Sequence, residues 1–228
     1  MKKISSITID GPAGVGKSTI SKLLAERLST SCLNTGAIYR ALTLECLRKN
    51  ANIKSEAEVE KALKDFNLSV VFNNGQQHIL LNNKDVTQFL HREIIDQTVA
   101  YVAKVPSIRE KVRGIQRQIA TENNIVVEGR DIGTVVLPDS INKFFLTASA
   151  EVRAERRYKE RVQNGEKADY NQILTDIKLR DELDITRKVS PLLPAKDAII
   201  VNTDNKSIEQ ILSEMQGKIK GFDKERCQ

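Results

Sequence analysis

The residues best suited to chemistry stand near the start of the chain. Gly11, Pro12, Ala13, Gly14, Val15, Gly16, Lys17, Ser18 and Thr19 form a run whose first eight residues fit G-x4-G-K-[ST]. Glycines let a backbone curl until successive N–H groups face one concave side, which suits phosphate oxygens. Lys17 supplies a positive charge that reaches the β- and γ-phosphates of a nucleoside triphosphate, and the Ser18 hydroxyl suits one position on Mg2+. A helix beginning at Ser18 would aim the positive end of its dipole at the same point. The bland alternative is a glycine-rich turn with no ligand. A β-branched run before the loop and a helical pattern after it favour the phosphate cradle.

Phosphoryl transfer asks for two anions held in line with positive charge around the migrating group. An acceptor that is itself phosphorylated must also be neutralised, and a planar, forked guanidinium does this best. Arg130 lies in Glu128-Gly129-Arg130-Asp131, directly after a buried-strand pattern. Open α/β sheets bind ligands outside the carboxyl ends of their strands. Asp131 suits a metal's water shell, an acceptor group or a simple turn cap. Arg180, Asp184 and Arg187, at i, i+4 and i+7, share one helix face, which is either a surface charge ladder or a cleft wall. Arg153, Arg156, Arg157, Lys159 and Arg161 crowd one short helix, with Arg153, Arg157 and Arg161 in one stripe. A small lid over the triphosphate accounts for this, and so does a solvated face interleaved with Glu155 and Glu160.

These residues need a scaffold. Residues 4–9 read as a buried strand, 18–28 as a helix with Ile20, Leu23, Leu24 and Leu28 inward, and 36–49 as a second helix. The stretch 51–92 breaks the pattern. Ser55 and Glu58 form a capping box before Val59, Ala62, Leu63 and Phe66 at helical spacing. Two short strands follow, 68–72 and 78–81, with the hairpin signal Asn73-Asn74-Gly75 between them, then the turn 82–84 before Asp85 and Val86. This is a small meander inserted at one edge of the main sheet. Helices are expected at 88–104 and 107–121 around Pro106, strands at 125–127, 143–146 and 198–201, and helices at 151–163, 170–187 and 207–219. Strands alternating with helices argue for an α/β fold, a parallel sheet with helices on both faces.

Composition narrows the function. The chain has 228 residues, 40% hydrophobic and 29% charged, as in ordinary globular proteins. No apolar run approaches the ~20 residues of a membrane span. The first residues lack a signal-peptide core, so a cytoplasmic protein is expected. Cys32, Cys46 and Cys227 have no metal-ligand spacing and read as reduced packing residues, and with only His78 and His91 a histidine-based zinc site is not expected. The net charge of +6 fits either a nucleic-acid surface or a pocket for several phosphates. With 4% aromatics and no Trp, stacking platforms for single strands are not favoured.

The set GPAGVGKST, NTGAIYR, VEGRDIGTVVLPD, RDELDITR and SPLLPAKDA resembles bacterial cytidylate kinases, a branch of the nucleoside monophosphate kinases, over about residues 4–219. The resemblance implies a P-loop nucleoside monophosphate kinase fold and transfer from ATP to CMP or dCMP with Mg2+. It implies a core of residues 1–33, 106–152 and 170–228, a monophosphate-binding region at 34–105 and a lid at 153–169. It places Gly11 to Thr19 on the ATP phosphates, and Thr35, Arg40, Arg109, Arg130, Asp131, Arg180, Asp184 and Arg187 on CMP. Lys17, Arg130, Arg153 and Arg157 would carry catalysis, Arg156 would belong to the lid, and Ser18 would face the metal. Two positions depart from the family: Asn34 replaces an Asp, and Ala100 replaces a Ser that contacts cytosine. The expected partners are ATP and CMP or dCMP, with no nucleic acid and no membrane, and the expected state is a monomer. A P-loop kinase for UMP, AMP or another small metabolite is the nearest alternative. A nucleic-acid-binding P-loop protein is the more distant one.

Overall fold

The computed structural model describes residues 6–73, 75–122 and 124–221. A five-stranded parallel sheet forms its centre, in the order β2-β6-β1-β7-β8. The strands are β1 (Ser6–Asp10), β2 (Ser31–Asn34), β6 (Ile125–Gly129), β7 (Asn142–Thr147) and β8 (Ile199–Asn202). The central strand β1 pairs with β6 on one side and β7 on the other, with Asp10 level with Gly129. Every residue of β6 is buried, as a strand covered on both faces requires. All five carboxyl ends open on one rim of the sheet, and the loops of interest leave from that rim.

Helices cover both faces: α1 (Lys17–Arg27), α2 (Thr35–Arg48), α4 (Glu93–Ala103), α5 (Pro106–Glu122), α6 (Ala150–Gln163), α7 (Tyr170–Thr186) and α8 (Ile208–Gln216). The inserted part comprises α3 (Glu56–Ala62) and an antiparallel sheet of β3 (Leu68–Asn73), β4 (Gln76–Leu81) and β5 (Lys84–Asp85). One apolar cluster runs from Leu33 and Val127 of the main sheet through Ile38 and Leu42 to Ile79 and Leu81 of the insertion. The insertion therefore shares its core with α2, α4 and α5. It meets the main sheet at the edge strand β2. There the Gln77 amide accepts from Asn34 N at 2.6 Å and donates to Asn34 O at 3.1 Å, as another strand would. A second cluster packs Ile7 and Ile9 against Ile20, Leu24, Leu212 and Met215 on the opposite face.

Five local expectations need correction. Strand β2 was not foreseen, because Ser31-Cys32-Leu33-Asn34 has no β-branched run and owes its form to pairing with β6. The helix expected from residue 88 begins at Glu93. A 3-10 turn, Thr87–Phe89, precedes it, because the Thr87 hydroxyl accepts from Ile79 N at 2.9 Å and its N–H donates to Asp85 at 2.8 Å. Helix α3 stops at Ala62, so Phe66 packs from beyond its end. The capping box is half made: Ser55 Oγ accepts from Glu58 N, but the Glu58 carboxylate accepts from Asn52 N. Helix α8 ends at Gln216, three residues short of the expected 219; the remaining elements agree with the sequence pattern to within about two residues at each end, the usual spread of boundary assignment. Cys227, residues 4 and 5 and Asn74 lie outside the described residues.

Candidate phosphoryl-transfer site

The loop between β1 and α1 is built for close approach. A Cβ on Gly11 would collide with the Leu146 carbonyl of β7, so only glycine lets the chain pass there. Gly16, at φ 92°, takes the left-handed turn that starts α1. No acidic residue stands in the first turn of that helix, leaving its N-terminal N–H groups free of a competing carboxylate. Lys17 is nearly buried, and its Nζ donates to the carbonyls of Gly11 at 2.8 Å and Pro12 at 2.6 Å. Burial, and next the Arg130 guanidinium, push its pKa below the ordinary lysine value. Ser18 and Thr19 are exposed on the open side of the loop.

Two arginines of α6 grip this loop from outside. Arg153 pairs with Asp181 of α7 at 3.0 and 2.6 Å and donates to the Ala13 carbonyl at 3.1 Å. Arg156 donates to Thr203 and reaches the Val15 carbonyl at 3.5 Å. The stripe is thus neither free nor merely solvated at its first turn.

Beside the loop, β6 ends in Glu128-Gly129-Arg130-Asp131. Asp10 closes this junction: its carboxylate accepts from Ile132 N at 2.9 Å and Gly133 N at 2.8 Å. A π-helical turn, Ile132–Val136, follows, a form that often marks functional sites. Burial raises the Asp10 pKa to about 6. Arg130 Nε donates to Asp184 at 2.9 Å. Asp184 also faces Arg180 at 3.5 Å and Arg187 at 3.7 Å. Burial works against its charge, yet Arg130 and Arg180 outweigh that and hold its carboxyl below the usual range. Asp131 takes Arg109 at 2.5 Å and faces Arg187 at 3.7 Å. Arg109 lies over the Tyr39 ring, 5.7 Å from its centroid, and also donates to Ala103 O.

The structure therefore brings Arg109, Arg130, Asp131, Arg180, Asp184 and Arg187 into one web, so Arg180 and Asp184 of α7, with Arg187 just past its end, form a largely buried ion-pair network rather than a surface ladder. Three of its buried donors, Arg109 Nε, Arg180 Nε and Arg187 Nη2, have no hydrogen-bond partner among the described residues. Thr35 is placed differently: its hydroxyl donates to Glu128 O at 2.7 Å and pins the start of α2 to the end of β6. Arg40 pairs with Asp96 of α4 at 2.6 Å. Asn34 caps α2 by accepting from Ala37 N, and its amide reaches Ser18 Oγ at 3.5 Å. Ala100 is buried on α4.

Sequence reasoning missed Glu128. It is 3% exposed, burial raises its pKa, Lys17 and Ser18 are among the groups acting on it, and its Oε1 has no hydrogen-bond partner among the described residues. An acid ending the strand next to the P-loop strand was the available signal. Among the described residues, no helix is long and apolar enough to cross a membrane.

A phosphate-cradling loop on the rim of a parallel sheet, with a buried arginine web facing it from the next strand, defines the nucleoside monophosphate kinases: phosphotransferases whose acceptor is itself a phosphate. The sequence matches the cytidylate kinase family over residues 7–221. A cytidylate kinase of Caldicellulosiruptor saccharolyticus is 46% identical over 220 residues, 94% of this chain and 95% of that protein. One of Carboxydothermus hydrogenoformans is 42% identical over 209 residues, 92% of this chain and 94% of that protein. The solved structure of an uncharacterized protein from Eubacterium ventriosum has a TM-score of 0.50 at 15% identity, covering 94% of this chain and 97% of that one, a likeness of fold alone. The chain belongs to the cytidylate kinase family.

Proposed function

We propose that the protein transfers the γ-phosphoryl group of ATP to CMP or dCMP, giving ADP and CDP or dCDP. The observation that carries this reading is the buried web of Arg109, Arg130, Arg180 and Arg187 on Asp131 and Asp184 beside the phosphate loop, in which Arg109 Nε has no hydrogen-bond partner among the described residues. A buried donor without a partner costs free energy, and a substrate phosphate or base edge removes that cost. The cytidine comes from the family, since its members named above are cytidylate kinases.

In this reading residues 11–19 hold the ATP phosphates by backbone N–H groups. An anionic oxygen of the acceptor phosphate attacks the γ-phosphorus in line. The new O–P bond forms as the bond to the β–γ bridging oxygen breaks, and ADP leaves. No protein base is required, because the attacking oxygen is already ionised at neutral pH. Lys17, Arg130 and Arg157 balance the charge that develops. Arg153, whose donors are spent on Asp181 and Ala13, acts by fixing the loop. Arg109, Arg130, Asp131, Arg180, Asp184 and Arg187 form the acceptor face, with Thr35 and Arg40 at the start of α2.

The residues fit Mg2+. An exposed Ser18 hydroxyl and a buried Glu128 oxygen without a partner are the hard oxygen donors it takes, directly or through its waters. When bound, Mg2+ would neutralise part of the phosphate charge. Residues 1–33, 106–152 and 170–228 serve as core, 34–105 as the monophosphate-binding region and 153–169 as the lid. Arg109, Arg130, Arg180 and Arg187 are held in one buried ion-pair web rather than spread over a surface, which supports a small-molecule enzyme over a nucleic-acid binder. We read it as a cytoplasmic monomer.

The test is ADP release with CMP, dCMP, UMP and AMP in parallel. CMP and dCMP are expected to turn over with the highest kcat/KM, and a preference for AMP or UMP would overturn the assignment of the acceptor.

A further inference from the structure

Asp96 is not among the residues that the motifs single out, yet three elements converge on it. Its Oδ1 accepts from Arg40 Nε at 3.2 Å and Nη2 at 2.6 Å. Its Oδ2 accepts from Arg157 Nη2 at 2.8 Å. Its backbone carbonyl accepts from Arg180 Nη1 at 3.3 Å. One turn earlier on α4, Glu93 accepts from Arg161 at 3.4 Å. The basic stripe of α6 therefore meets an acidic face of α4, which belongs to the acceptor side.

We propose that Asp96 is a positioning residue that gathers Arg40 of the acceptor side and Arg157 of the lid on one carboxylate and presents both to the reacting phosphates. The proposal rests on the roles given above to those two arginines. The geometry favours presentation over simple neutralisation. Asp96 takes the Nε–Nη2 edge of Arg40, and the remaining Nη1 lies toward the first turn of α2, 3.7 Å from where a Cβ of Gly36 would stand. That turn also holds Thr35, so the free edge of Arg40 faces the acceptor. The Arg157 side chain, 38% exposed, is the more exposed partner, and its other carboxylate, Glu160 at 2.9 Å, lies on its own helix, so Asp96 is its anchor to the acceptor side. Without Asp96, two like charges from separate elements would repel, and the substrate would have to collect each from solvent. Asp96 thus couples lid closure to occupation of the acceptor side.

Four variants test this with ATP and the monophosphate that the acceptor panel selects: Asp96→Asn, Asp96→Glu, Arg157→Gln and the double variant Asp96→Asn with Arg157→Gln. Asp96→Asn is expected to raise KM for the acceptor and lower kcat, each roughly tenfold, with KM for ATP moving less than about twofold. Asp96→Glu should recover most of both losses. The double variant should lose little more kcat than Arg157→Gln alone, because the two act as one unit. Unchanged constants in Asp96→Asn would overturn the proposal. So would a fall in kcat alone that tracks a lower melting temperature, or strictly additive losses in the double variant. The panel on the unaltered enzyme decides the acceptor by itself, so its failure cannot be confused with a failure of Asp96.

Discussion

In the proposed reading the donor and acceptor halves of the site solve the same problem, holding phosphate, by opposite means. The donor cradle would be nine consecutive residues working mainly through backbone N–H groups that carry no net charge. The acceptor face draws side chains from α2, α5, α7 and the end of β6, and works through guanidinium groups. Backbone dipoles can be packed together without a counter-charge. Guanidinium groups cannot, so the acceptor half contains a carboxylate for each cluster: Asp131 for Arg109 and Arg187, Asp184 for Arg130, Arg180 and Arg187, and Asp96 for Arg40 and Arg157. These acids hold the arginines in fixed positions around the site.

The largest expected effect is in the donor half. Lys17→Ala removes the one side-chain cation of the loop and should lower kcat roughly 10³-fold, in line with losing a preorganised donor to developing charge. Folding should survive, because the lysine's present partners are two carbonyls of its own loop, Gly11 and Pro12. Steady-state rates of ADP release check this, and a kcat within tenfold of the parent would break the contrast.

The acceptor half should fail differently, in structure as well as rate. Asp184→Asn takes the charge from the centre of three guanidinium groups, at a site where the Asp184 and Arg187 side chains are nearly buried. Breaking a buried pair from one side costs about 3–5 kcal/mol, so the melting temperature should fall by roughly 10 °C. KM for the acceptor should rise roughly 100-fold with KM for ATP little changed, as expected for a lost charge-assisted contact. A variant with unaltered melting temperature and acceptor KM would show the web to be ornamental.

The same contrast governs what could be read from the sequence. The phosphate loop was legible whole, since every part of it is adjacent in the chain. Arg180, Asp184 and Arg187 were legible as a charged set at helical spacing, but only the fold distinguished a buried ion-pair network from a surface ladder, and Arg187 stands just past the helix. Asp96, Asp181 and Glu128 were not legible as site residues, because their partners lie 61, 28 and more than 100 positions away. Asp96 was further hidden by the 3-10 turn at Thr87–Phe89, which shifts the start of α4 and hence the faces of that helix. The parallel sheet was legible from alternation of strands and helices, apart from β2, whose four residues become a strand only through the neighbouring β6.

Asp10 joins the two halves and gives the smallest effect but the clearest sign. It ends the strand that feeds the phosphate loop, while its carboxylate holds the N–H groups of Ile132 and Gly133 just past Arg130 and Asp131. Burial, assisted by repulsion from Asp131 and opposed by those N–H groups and Lys17, raises its pKa from 3.8 to about 6. Between those values the folded protein binds more protons than the unfolded chain, so the contribution of Asp10 to stability falls as pH rises and is level above about pH 7. Asp10→Asn cannot titrate and removes this slope, while other groups cancel in the comparison. The melting temperature of the parent minus that of Asp10→Asn should therefore fall by roughly 5 °C between about pH 4 and pH 7. A difference that stays constant over that window would mean that the backbone donors outweigh burial, and that Asp10 is held ionised as Asp184 is.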